Sequence, residues 1–151
     1  MWIERDENAN VKKRQLRGSK TSKGAADMRL SKRKFADLVE EALSDIPAQL
    51  VQYLRGVTVD VESRPDPRTC RDAGVDDPHD LLGLYRGTPI TSRSVEQDGH
   101  LPDRITIYKR NIECMCSTRA EIIHEIRRTV FHEVGHHFGL DEDDLVALGY
   151  E

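Results

Sequence analysis

Residues 131–145 read FHEVGHHFGLDEDDL and crowd three histidines, five acids and two glycines into fifteen positions. Elsewhere histidine occurs only at His79, His100 and His124. His132 and His136 are four residues apart, so on a helix they project from one face about one turn apart. Two imidazoles so placed can bind one zinc ion, and Glu133 between them is turned toward the open side, where it can act on water. The plain alternative is a charged helix face that carries two histidines by chance. His137 lies about 100° further round the helix and cannot share a metal with both neighbours. A packing or hydrogen-bonding role is expected for it, and a structural one for His124.

A catalytic zinc needs a third protein ligand and one open position. Fifteen residues follow His136, too few for a glutamate carried by a distant later helix. The third ligand is therefore expected from the turn after Gly139, unless it comes from upstream. In H-E-x-x-H-x-x-G-x-x-H sites that ligand stands three residues after the glycine, which here is Glu142. Asp141 and Asp143 are neighbours able to substitute, and the competing use for all these acids is helix capping. No methionine follows His136, so this is not an ordinary metzincin.

These residues need a helix to carry them and a sheet to pack it on. A capping box begins at Thr118, with Glu121 at its third helical position. Ile122, Ile123, Ile126 and Val130 supply an apolar stripe, and Gly139 is a natural stop. That predicts a helix of about twenty residues, ~30 Å long, followed by a short one opened by the acid run. Upstream, Ser31 is an expected N-cap for a helix with Phe35, Leu38, Val39, Ala42 and Ile46 at helical spacing. Pro47 interrupts it and opens PAQLVQYLRG, with Gly56 as the stop. VTVDVE (57–62) alternates as a half-buried strand. Residues 63–80, rich in Pro, Asp and Arg, read as a loop. LLGLYRG and, after a turn at Asp98-Gly99, RITIYKR read as two more strands, with Ile105 and Ile107 on one face. The order α-α-β-β-β-α-α predicts a compact α+β domain with an antiparallel or mixed sheet packed on the H-E-x-x-H helix.

A chain of 151 residues, 37% apolar and 33% charged, suits one soluble domain. No apolar run approaches the ~20 residues that span a bilayer, and no apolar segment follows the basic N-terminus as in a secretory signal. The cytoplasm is the expected location. Cys70, Cys114 and Cys116 are an odd set, read as reduced thiols rather than disulfides or metal ligands. Charge is uneven: residues 1–34 hold 11 Lys+Arg against 4 Asp+Glu, and the remainder 12 against 23. The basic start reads as a disordered tail over residues 1–27, ahead of a domain over 28–151. It carries no aromatic residue among its basic ones for base stacking, so nucleic acid is not the expected partner. Oligomeric state is not legible.

FADLVEEAL, LLGLYRGTPITSRS, LPDRITIYKRNIE and TVFHEVGHHFGLDEDDLVALGY together resemble the small bacterial zincin-like metallopeptidases, or minimal zincins, over residues 28–150. The resemblance implies His132 and His136 as zinc ligands and Glu133 as the catalytic residue. Where that family usually has aspartate, this chain has Glu142. The expected function is a zinc-dependent peptidase acting on peptide or protein substrates, with a metal-activated water and Glu133 as general base. LGLYRG is the expected edge strand for an extended peptide, and Tyr85, His100 and Tyr150 are candidate oxyanion-side donors. The alternative is a metal-stabilised binding or regulatory module without turnover.

Overall fold

The structure, a computed structural model, describes residues 28–87 and 103–147. The expected basic tail, the Asp98-Gly99 turn, His100 and Tyr150 lie outside the described residues. Helix α1 (Lys32–Ser44) starts where expected, because the Ser31 side chain accepts the Lys34 N–H. Phe35, Leu38, Val39 and Ala42 are its buried stripe. Ile46 lies past its end and packs instead against the cluster of Leu50, Phe131 and Leu145. After Pro47 comes one short turn, α2 (Ala48–Val51), which tightens to a 3-10 turn at Gln52–Leu54.

Strand β1 (Val57–Glu62) follows the alternating run. Residues 63–80, read as loop, contain a helix: α3 (Pro67–Asp72), capped by the Asp66 side chain, with Pro67 in its first turn. A capping aspartate followed by proline at the first helical position is a start signal, masked here by the loop-like composition around it. Strands β2 (Gly83–Arg86) and β3 (Asp103–Tyr108) complete a mixed sheet of order β1-β3-β2. β1 pairs parallel to β3, with Val59 opposite Ile105. β2 pairs antiparallel to β3, with Tyr85 also opposite Ile105. Among the described residues β2 is therefore an edge strand.

β3 runs directly into a further helix that sequence reading missed, α4 (Lys109–Glu113). It is held by ion pairs within its own turn and by distant partners. The Glu113 carboxylate, wholly buried, pairs with Lys109 at 2.8 Å and Arg110 at 2.6 Å and accepts the Leu30 N–H at 2.9 Å. Burial alone would push its pKa up, but these donors outweigh it and hold it below the ordinary value. Asn111 then ties the preceding connection down by donating to the carbonyls of Pro78 and Leu81.

Helix α5 (Arg119–His137) begins with the full capping box of Thr118 and Glu121. Its Ile122, Ile126, Val130 and Val134 pack with α1 against Ile105 and Ile107 of β3, forming the main core on one face of the sheet. Tyr108, Leu81, Ala73 and Val75 form a smaller cluster. Tyr108, 1% exposed, has its pKa pushed up to about 12, first by burial and then by Glu62. The α+β expectation holds, with α3 and α4 as additions to the predicted order. Among the described residues no helix is long and apolar enough to cross a membrane.

Candidate active site

α5 stops because Gly139 adopts φ 73°, a conformation that costs a glycine little. Its N–H bonds to the His136 carbonyl at 3.1 Å, and the Leu140 N–H bonds to the Gly135 carbonyl at 2.7 Å, so the chain reverses at once. Helix α6 (Glu142–Ala147) follows. Its start is a reciprocal cap: Asp141 Oδ1 accepts the Asp144 N–H at 2.8 Å, and Asp144 Oδ2 accepts the Asp141 N–H at 3.1 Å. Two of the four acids thus serve the helix end. Asp143 is exposed, and the side chain of Glu142 lies outside the description.

α6 sits on α5 through Leu145, which is 4% exposed. A methyl group added at Gly135 would come within 3.1, 3.3 and 3.4 Å of the Leu145 Cδ1, Cδ2 and Cγ atoms. Gly135, between the two histidines of the motif, is the socket that lets α6 approach. Gly135→Ala gains up to about 1 kcal/mol of helix propensity and incurs about 1–3 kcal/mol of overpacking. The expected net effect is a loss of roughly 0–2 kcal/mol, concentrated in α6. Amide hydrogen exchange should accelerate over residues 142–147 and stay unchanged in the first half of α5. Uniform exchange along both helices would refute this account.

His132 and His136 meet as their spacing requires: Nε2 to Nε2 is 2.7 Å, with ring centroids 4.3 Å apart at 81°. Two nitrogens bound to a tetrahedral zinc at ~2.0–2.1 Å stand roughly 3.3–3.4 Å apart. The pair therefore fits two ligand positions after a small outward movement, with both Nε2 atoms deprotonated. It also lies in the last turns of α5, where the negative end of the helix dipole favours a cation. Among the described residues no group of three His, Cys, Asp or Glu side chains is assembled around a common point. The three cysteines are free, with Cys70 and Cys116 buried and Cys114 exposed.

Glu133 reaches β2. Its Oε2 accepts the main-chain N–H of Tyr85 at 3.2 Å. Burial pushes its pKa up to about 7 from 4.5, and the Tyr85 N–H offsets only part of that effect. β2 can lie this close because position 83 is glycine. A Cβ there would meet Thr129 Cγ2 at 2.6 Å and the Thr106 carbonyl oxygen at 3.3 Å.

His137 stands apart from the imidazole pair, its ring stacked on Tyr85. The Tyr85 hydroxyl is buried. His124 is exposed two turns earlier on α5 and joins neither group. Sequence reading did not identify Gly83, Gly135, Leu145 or the Tyr85 amide as parts of the site. A glycine inside the LLGLY strand was the available signal, since it marks a close backbone approach.

No curated protein matches the chain. The family model described as Zincin-like metallopeptidase matches residues 54–150, from the turn before β1 through the acid run, and the chain belongs to that family.

Proposed function

We propose that the protein is a zinc-dependent peptidase in which His132 and His136 hold the metal, a carboxylate of the run after Gly139 completes the set, and Glu133 moves the proton. Membership of the metallopeptidase family carries the general activity. The observation that carries the residue assignment is the division of one helix end into two functions. The imidazole nitrogens converge 2.7 Å apart, while the carboxylate beside them is turned to the edge strand with its pKa raised to about 7. Glu142 is the proposed third ligand, since Asp141 is engaged with Asp144 in the helix cap.

Bound zinc supplies Lewis acidity, which lowers the pKa of water to about 7 and polarises a carbonyl. The chain's own residues do the rest. Glu133 takes a proton from the attacking water and returns it to the leaving amine. Among the described residues β2 is an edge strand beside that carboxylate, and an extended peptide can pair through its backbone with such an edge. His132 and His136 keep their nitrogens convergent because α5 is capped at its start and sealed at its end. The odd set of three cysteines, free among the described residues, supports a reducing, cytoplasmic location.

The test is digestion of a peptide library by zinc-loaded protein, parent against Glu133→Gln. The variant should retain its zinc and lose about 10²–10⁴-fold in rate, the usual worth of a positioned general base. Equal cleavage by both proteins removes Glu133 from the role. Zinc uptake with no cleavage by the parent replaces the peptidase with a metal-stabilised binding module.

A further inference from the structure

The motif's extra histidine has a use that metal and base do not explain. Glu133 and His137 are four residues apart, as are His132 and His136, so the H-E-x-x-H-H run is two helical pairs side by side. One pair faces the metal position, the other faces β2. Thr129 lies one turn before Glu133 on the same line. Along that line, Thr129 abuts Gly83, Glu133 Oε2 accepts the Tyr85 N–H at 3.2 Å, and the His137 ring stacks on the Tyr85 ring at 4.1 Å and 22°. His137 is backed in turn by Phe138, edge-on at 5.1 Å, and Phe138 by Tyr53 at 5.0 Å.

We infer that Tyr85 and His137 are positioning residues, a clamp that sets the register of edge strand β2 against Glu133. Tyr85 is held at its amide and at its ring by residues one turn apart. Strand side chains alternate faces, so a slip of one residue would carry the Tyr85 ring to the opposite side of the sheet. The stack with His137 thereby selects the one register in which the position-85 amide meets the catalytic carboxylate. Its consequence for turnover rests on the peptidase reading; the clamp itself does not.

Two readouts separate these. In ¹H–¹⁵N spectra of the metal-free protein, Glu133→Gln should move the position-85 amide signal. His137→Ala should largely abolish that response, His137→Phe should restore it by keeping a stacking ring, and Tyr85→Phe should behave as parent. Tyr85→Ala should match His137→Ala, and the double variant should be no worse than either. A parent-sized response in His137→Ala, or failure of His137→Phe to restore it, overturns the clamp. Should His137→Ala fail to fold, Tyr85→Ala decides by the same criterion. With zinc content equal, peptide cleavage by the alanine variants should fall by up to about 100-fold, the effect of misplacing a catalytic group by about 1 Å. A parent that cleaves no peptide yet gives this amide pattern sinks the peptidase reading and leaves the clamp standing.

Discussion

Metal-free protein should take up about one equivalent of zinc, and His132→Ala should lose it, since a two-imidazole site stripped of one ring has no convergent pair left. Retention of full metal content by that variant would reject the site. The acid run is then separable by single substitutions. Removing a direct ligand should exceed the 10–100-fold affinity loss typical of supporting residues, so Glu142→Ala should release zinc to a chelator far more easily than parent protein. Asp143→Ala alters the same net charge on an exposed side chain and should change affinity little. Asp141→Ala is not an equivalent control. It removes the acceptor of the Asp144 N–H and should cost about 0.5–2 kcal/mol of helix stability, with a weaker, indirect effect on zinc. If Asp143→Ala releases the metal and Glu142→Ala does not, the ligand stands one residue later. If none of the three matters, the third ligand comes from upstream.

What could be read from the sequence follows the range of the interactions. The α5 capping box, the stop at Gly139 and the i,i+4 histidines each involve residues within a few positions, and each stands where it was expected. The alternations in β1 and β3 are equally local, and they reveal which side of β3 faces the main core. α4 was not legible because its buried Glu113 is satisfied in part by the Leu30 N–H, 83 residues away. Nothing near Tyr108 breaks the strand run to announce a helix. α3 was legible in principle, through Asp66 and Pro67, but the surrounding Pro and Arg argued for a loop. The site divides the same way. The imidazole pair is local to one helix, whereas the Tyr85 amide reaches Glu133 across 48 positions. No spacing rule applied to a single chain brings those two together. The acid run is intermediate: its composition suits capping and metal binding alike, and only the hydrogen bonds of Asp141 and Asp144 assign those two.

The placement of Glu133 beneath β2 has a thermodynamic signature independent of any substrate. An acid whose pKa is higher in the folded chain than in the unfolded one weakens the fold when it ionises. For Glu133 the ordinary value is 4.5 and the folded value about 7, with burial as the leading cause. Below about pH 4 both states hold the proton and the penalty is absent. It grows as pH rises from 4.5 and is complete above about 7. The interval amounts to at most about 3–4 kcal/mol. The side chain keeps some exposure, and solvent screening brings the expectation to about 1–2 kcal/mol. Glu133→Gln cannot ionise, and its amide oxygen can still accept the Tyr85 N–H. In urea unfolding of metal-free protein, the variant should match the parent near pH 4 and exceed its stability by that margin at pH 8.5. Comparing the two proteins at each pH cancels every other titrating group. A gap that is equal at both values, or that favours the parent at high pH, would mean the carboxylate is not desolvated where it lies. Its proton affinity would then be that of an ordinary surface glutamate, too weak a base to accept and return a proton near neutrality, and the burial that fits it for that work would be absent.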